Sequence, residues 1–245
     1  MVTSDQRDND SFESAWHGIG TGGSPALDLA NTLDWRLRAE PIELFRRPDD
    51  LLRWGRSAGL LTPAEARRLR TSASPRPAKH ALSVIMDLRE TCAALFQALV
   101  DGTALAKSQL AALEREHRRA VAARSLTRGS TPDRPRDAAD RPATRWVWRE
   151  GTSGYDRIRH AVALDAVRIL TTTDAHRVRQ CADAECGWFF LDTSRNHSRR
   201  WCSMKGCGNR NKVRRFYRRT SGTRSDSPAM DDPAPTGESR SGSGE

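Results

Sequence analysis

Four cysteines, Cys181, Cys186, Cys202 and Cys207, fall within 27 positions of this 245-residue chain, while the fifth, Cys92, lies far upstream. Their pattern is Cys-x4-Cys, fifteen intervening residues, then Cys-x4-Cys. Two short turns that each present a pair of thiols are the way a chain builds a tetrahedral thiolate shell, and zinc is the ion that best suits one. Redox pairs usually take Cys-x2-Cys spacing in a thioredoxin-like setting, which is lacking here. The polar, acidic N-terminus has no apolar segment of the kind that opens a signal peptide, so the chain reads as cytoplasmic. In that compartment a disulfide framework is not expected. The expectation is one structural Zn2+ with four protein ligands and no open position for catalysis. Gly187 and Gly208 each follow the second cysteine of a pair, where a glycine lets the backbone turn sharply beside a metal.

Charge is concentrated around the same cysteines. The net charge is +10, and residues 177–219 hold 12 Lys/Arg against 3 Asp/Glu, a net of +9. Residues 220–245 are acidic by 5 to 2. Such localised positive charge suits a polyanion. Trp188–Asp192 reads as a strand, Arg199–Cys202 as its returning partner, and Asn209–Arg219 as a helix. On that helix Arg210, Arg214 and Arg218 recur at i, i+4 and i+8, flanked by Lys212 and Arg215, and Val213, Phe216 and Tyr217 supply a face expected to pack on the zinc core. Arg195, Arg199, Arg200 and Lys205 add charge from the knuckles. Asn209, Arg210 and Asn211 are candidates for base contacts, with bracing of the zinc turn as the alternative for Asn209 and Arg210. Trp188 and Trp201 read as core, with stacking on bases as the alternative.

The rest of the chain reads as mainly helical. Helices are expected over Ala26–Arg38, Asp49–Ser57, about Pro63–Arg70, His80–Val100, Ala104–Arg124 and Tyr155–Thr172. Thr62-Pro63-Ala64-Glu65 is a capping box with proline at the first helical position. Thr71–Lys79 reads as a linker, Thr127–Thr144 as a mobile loop and Arg145–Glu150 as a strand. The fold class is thus mainly α with a small β element. A helical domain over 17–174 precedes a treble-clef-like or ribbon-like zinc module over 177–219, with disordered ends at 1–16 and 220–245. No apolar run is long enough to span a membrane.

Cys207-Gly208-Asn209-Arg210, with Asp192-Thr193-Ser194-Arg195-Asn196 and Arg199-Arg200-Trp201-Cys202-Ser203-Met204, resembles the CGNR zinc finger family. Leu27-Asp28-Leu29-Ala30-Asn31-Thr32 and Trp54-Gly55-Arg56-Ser57-Ala58-Gly59-Leu60-Leu61 resemble the ABATE domain that accompanies this finger. The resemblance covers most of 24–219 and implies a stress-induced transcription regulator.

The leading functional expectation is therefore regulation through double-stranded DNA, with the finger on DNA and the helical domain sensing a signal or forming a homodimer. The alternatives are RNA binding, or a small-molecule-binding protein whose zinc module is a protein-interaction element. Asn31, Asp34, Arg36 and Trp54 are candidate lining for a small effector, against helix capping and internal hydrogen bonds. Gly18–Gly23 formally fits GxGxxG but lacks the preceding strand of a dinucleotide site. No catalytic constellation is readable from spacing, and the chain is not expected to be an enzyme.

Overall fold

The computed structural model describes residues 20–72, 74–128 and 144–222. The expected disordered N-terminus, the loop from 129 to 143 and the tail from 223 onward lie outside the described residues. The chain divides into two compact units, 1–209 and 210–245.

Helix α1, Pro25–Ala30, starts at a Ser24 N-cap with proline in its first turn. It ends eight residues before the expected Arg38. Asn31 occupies the C-cap, Thr32 turns its hydroxyl back to the Leu29 carbonyl, and Trp35 takes a positive φ of 51°. The chain instead forms β1, Leu33–Asp34, antiparallel to β2, Ile42–Glu43. Apolar periodicity was satisfied here by a short helix and a turn whose polar side chains serve the rest of the fold.

Helix α2, Pro48–Ser57, stops before Gly59, which adopts a left-handed φ of 70°. Helix α3, Pro63–Ser72, carries the expected capping box. Glu65 Oε2 accepts from Thr62 N at 2.8 Å, and Glu65 N donates to Thr62 Oγ1 at 3.2 Å. Helix α4, Pro75–Asp101, begins inside the expected linker. Pro75 and Pro77 fall in its first turn, where backbone N–H groups have no helical partner to lose. Helix α5, Lys107–Ala122, is shorter than expected, because Arg124–Arg128 is strand β3 rather than helix end and loop. Its partner β4, Thr144–Trp148, is the strand that was expected. Helix α6, Gly154–Thr171, packs along α5 and is capped by Ser153.

Beyond a 3-10 turn at Thr173–Arg177, β5, Val178–Gln180, pairs antiparallel with β6, Phe189–Leu191. The returning strand expected at Arg199–Cys202 does not form; β5 takes that place. The backbone of 192–202 is instead held by side chains. Asp192 is buried and accepts from Ser194 N, Ser194 Oγ and Arg199 N. The described residues end with a single π-helical turn at Met204–Gly208 and helix α7, Asn209–Gly222, which enters the expected tail by three residues.

Two apolar clusters result. The larger joins α1 to α6 through residues such as Leu27, Trp54, Ile85, Phe96 and Val162, and it includes Val178, Phe189 and Leu191. The smaller contains the four cysteines, Trp188 and Phe190, with Trp201 against it. Successive strand residues point to opposite faces. Strand β6 therefore gives Phe189 and Leu191 to the helical core and Phe190 to the cysteines. Burying the first two contributes about 1.5–3 kcal/mol each.

Candidate metal centre

Two knuckles bring the four sulfurs together. In the first, Cys181 N donates to the Trp188 carbonyl at 2.8 Å and Cys186 N to the Asp183 carbonyl at 3.1 Å. Gly187 follows at φ 70°, and a Cβ there would stand 2.9 Å from Leu37 Cγ. In the second, Ser203 accepts from Gly206 N through its hydroxyl and from Gly208 N through its carbonyl. Gly208 does not need a positive φ; a Cβ there would meet Met204 Sδ at 3.0 Å. The knuckles are tied by Ala182 N donating to the Arg200 carbonyl at 2.9 Å.

All four Sγ atoms lie within 4.8 Å of one another and all four residues are buried. Cys186 to Cys202 is 3.7 Å and Cys202 to Cys207 is 3.6 Å. A tetrahedral shell with zinc–sulfur bonds of about 2.3 Å sets its sulfurs about 3.8 Å apart. The quartet therefore fits one structural zinc ion, held by Cys181, Cys186, Cys202 and Cys207. Hydrogen bonds from Cys186, Cys202 and Cys207 hold the Cys181 thiol far below the usual range, and the bond to Cys181 pushes Cys186 far up. A divalent cation replaces such shared protons with one charge that satisfies all four thiolates.

The helical domain braces the first knuckle directly. Asn31 Nδ2 donates to the Phe189 carbonyl at 2.9 Å, and Phe189 N donates to Asn31 Oδ1 at 2.8 Å. Arg36 N reaches the Cys186 carbonyl at 3.1 Å and Leu37 N the Glu185 carbonyl at 3.3 Å. Leu191 N donates to the Gly22 carbonyl at 2.7 Å.

The four residues expected around an effector have other partners. Asn31 is engaged by Phe189. Arg36 bonds Glu90 and the Ala30 carbonyl, and Asp34 accepts from Trp35 N. Trp54 is buried edge-on to Phe45. None of the four lines the cavity of about 590 Å³ between α3, α4 and α6, whose walls include His80, Val84, Tyr155 and Arg159. The glycine run also has a local use: Gly20 N and Gly22 N both donate to Asp28 Oδ1.

Among the expected nucleic-acid contacts, Arg195, Arg200, Lys205 and Asn209 are exposed on the module, and Arg210, Lys212, Arg215 and Arg218 are exposed on α7. Asn211 and Arg214 are half-buried. Arg199 is half-buried. Its guanidinium donates to the Thr21, Trp201 and Cys202 carbonyls and lies 4.2 Å over the Phe190 ring. Asn209 braces the turn through the Lys205 carbonyl at 3.3 Å. Val213, Phe216 and Tyr217, expected to be buried against the zinc core, are exposed. Trp188 is core as expected, and Trp201 packs against it.

Sequence reasoning missed Asn31, Arg36 and Leu37 as supports of the metal site. The signal for Asn31 was an amide placed on the apolar face of Leu27–Thr32; helix capping and internal hydrogen bonds were weighed there against effector lining, and the structure shows the capping and the bonds, with Phe189 as the partner that the sequence did not name.

Residues 23–173 match the family described as "Putative stress-induced transcription regulator", ABATE. The chain belongs to the ABATE family. Residues 177–220 match the CGNR zinc finger. A comparison with curated proteins finds no match. In this ABATE protein residues 177–209 of the finger lie in the same compact unit as the helical segment, because β6 serves both cores. Among the described residues no helix is long and apolar enough to cross a membrane.

Proposed function

We propose that this ABATE protein is a DNA-binding transcription regulator. Its zinc module and α7 grip the phosphate backbone, and its helical domain receives a signal. The observation that carries the reading is the cation set Arg195, Arg200, Lys205, Arg210, Lys212, Arg215 and Arg218, all exposed. The 14 residues of α7 include no acid. Stacked like charges repel one another, and a phosphate backbone relieves that repulsion while releasing its own counterions. The metal shapes this surface and takes no part in chemistry, since its sulfur shell is closed. The family description, a regulator of transcription, agrees with that reading.

The test uses the zinc-loaded full chain and a labelled duplex, titrated across salt. Replacing Arg210, Arg214 and Arg215 together with alanine should weaken binding. If all three touch phosphates, it should also flatten the log–log salt slope by about 0.9 per contact, or nearly 3. Unchanged affinity and slope refute the role of α7. Competition with single-stranded RNA separates this reading from RNA binding. Selection from a random DNA pool then identifies the site.

A further inference from the structure

Helix α7 carries more than charge. Val213, Phe216 and Tyr217 are 53%, 64% and 63% exposed. At i, i+3 and i+4 they form one continuous stripe. The Phe216 and Tyr217 rings stand 5.9 Å apart at 73°, edge to face. A row of Arg210, Arg214 and Arg218 runs along one border of the stripe, and Lys212 lies beyond the other. A helix that only gripped phosphates would leave these three positions polar. Exposed apolar surface of this kind marks an interaction, and its border restricts the partner. A second copy of α7 would set two acid-free helices against each other, each with six Lys/Arg. The stripe calls for a partner that offers flat apolar faces inside a fence of negative charge.

Unpaired nucleobases have that chemistry: each has a π-face, and each is tethered to a phosphate. We infer that Phe216 and Tyr217 stack on unpaired or unstacked bases while the flanking arginines hold the adjoining phosphates. The preferred target of this protein is then DNA in which bases are open. This inference rests on the DNA-binding reading above and adds what α7 recognises. In a fully paired duplex the same stripe has no surface to cover, and only the cations contribute.

The experiment takes the zinc-loaded full chain and three DNA probes of one sequence: a paired duplex, the duplex with a central mismatched bubble, and the single strand. A 2-aminopurine in the bubble reports stacking by its fluorescence. Wild type should bind bubble and strand about tenfold or more tighter than duplex, with quenching, since stacking on an aromatic is worth about 5- to 150-fold per base. The F216A/Y217A double variant should bind all three probes alike, with the salt slope unchanged. F216L/Y217L keeps apolar area without a π-face and should show the same loss. Both residues are exposed, so thermal unfolding of the variants should match wild type.

The inference is overturned if F216A/Y217A retains the bubble preference, or if wild type binds duplex and bubble equally. It is also overturned if the aromatic stripe drives binding to phosphatidylserine vesicles and not to the bubble, which would make α7 a membrane-surface helix. Failure of wild type to bind any probe at about 50 mM salt sinks the DNA-binding reading itself. Duplex binding that is indifferent to Phe216 and Tyr217, with no gain on the bubble, sinks only the stacking.

Discussion

Replacing Asn31 with alanine separates a zinc module that merely adjoins the helical domain from one that is built into it. The Asn31 carboxamide bonds both the N–H and the carbonyl of Phe189, at 2.8 and 2.9 Å, and its residue is 1% exposed. Alanine leaves both Phe189 groups buried without that partner. Each such group costs about 1–3 kcal/mol, so the variant should lose about 4 kcal/mol. With a urea dependence of about 2–3 kcal/mol per molar, the unfolding midpoint falls by about 1.5 M. Helix loss is tracked by far-ultraviolet circular dichroism and metal release by a chromogenic chelator, on one zinc-loaded sample. Phe189 lies in the helical core and its neighbour Phe190 in the cysteine cluster, so both curves should shift together. If the helical transition holds still while zinc leaves earlier, the two cores are not coupled through β6 and the reasoning fails.

Particular contacts give three further outcomes. Cys202→Ser should abolish stoichiometric zinc by elemental analysis and lower the melting temperature of the whole helical domain, as should chelation of wild type; a helical melt indifferent to zinc counts against the shared strand. Arg199→Ala should destabilise the fold and weaken zinc retention, because three backbone carbonyls and the Phe190 ring lose their cation, whereas the exposed Arg195→Ala should leave both unchanged in the same assays. Burial raises the Asp28 carboxyl to about 6, against the bonds from Gly22 and Gly20 and with a small push from Asp165. The folded state then holds a proton that the unfolded state has released between about pH 4 and 6, so stability falls as pH rises through that window, by about 3 kcal/mol at most. Asp28→Asn keeps the acceptor for both glycines and should be the more stable protein at about pH 7.5, with a flatter pH profile in urea unfolding; a less stable variant there contradicts the sign.

The parts legible in the sequence were those written in short-range chemistry. Thr62 with Glu65 announces a helix start through reciprocal capping, and the box lies where expected. The long apolar face of α4 and the four cysteines were readable because spacing alone decides them. What failed was decided by distant partners. Leu27 to Asp34 has helical spacing, yet Asn31 and the Arg36 backbone are pulled toward β6 and Cys186, far along the chain. Strand β3 is polar and short, and only its pairing with β4 makes it a strand. Arg199 looked like one more cation in a basic run. Two of its three carbonyl partners, Trp201 and Cys202, are set by the knuckle turn, and the third, Thr21, lies far along the chain, so residue type does not reveal them.

The segments matched by the two families and the physical parts of the molecule have different borders, and strand β6 explains why. A zinc site of four thiolates can fold small peptides by itself, since metal binding supplies folding free energy. Here that free energy is not confined to the module. Val178, Phe189 and Leu191 would each be left in water if residues 177–209 stood alone, at a cost of about 1.5–3 kcal/mol apiece. The helical domain would in turn lose a wall of its core and the partners of Asn31, Gly22 and Arg36. Stabilising either part therefore stabilises the other, because both act on the same three-residue strand. Helix α7 differs. It belongs to the second compact unit, and its apolar residues face solvent. Substitutions at Asn31 or Cys202 should move both melts together, because each weakens a core that β6 shares with the other.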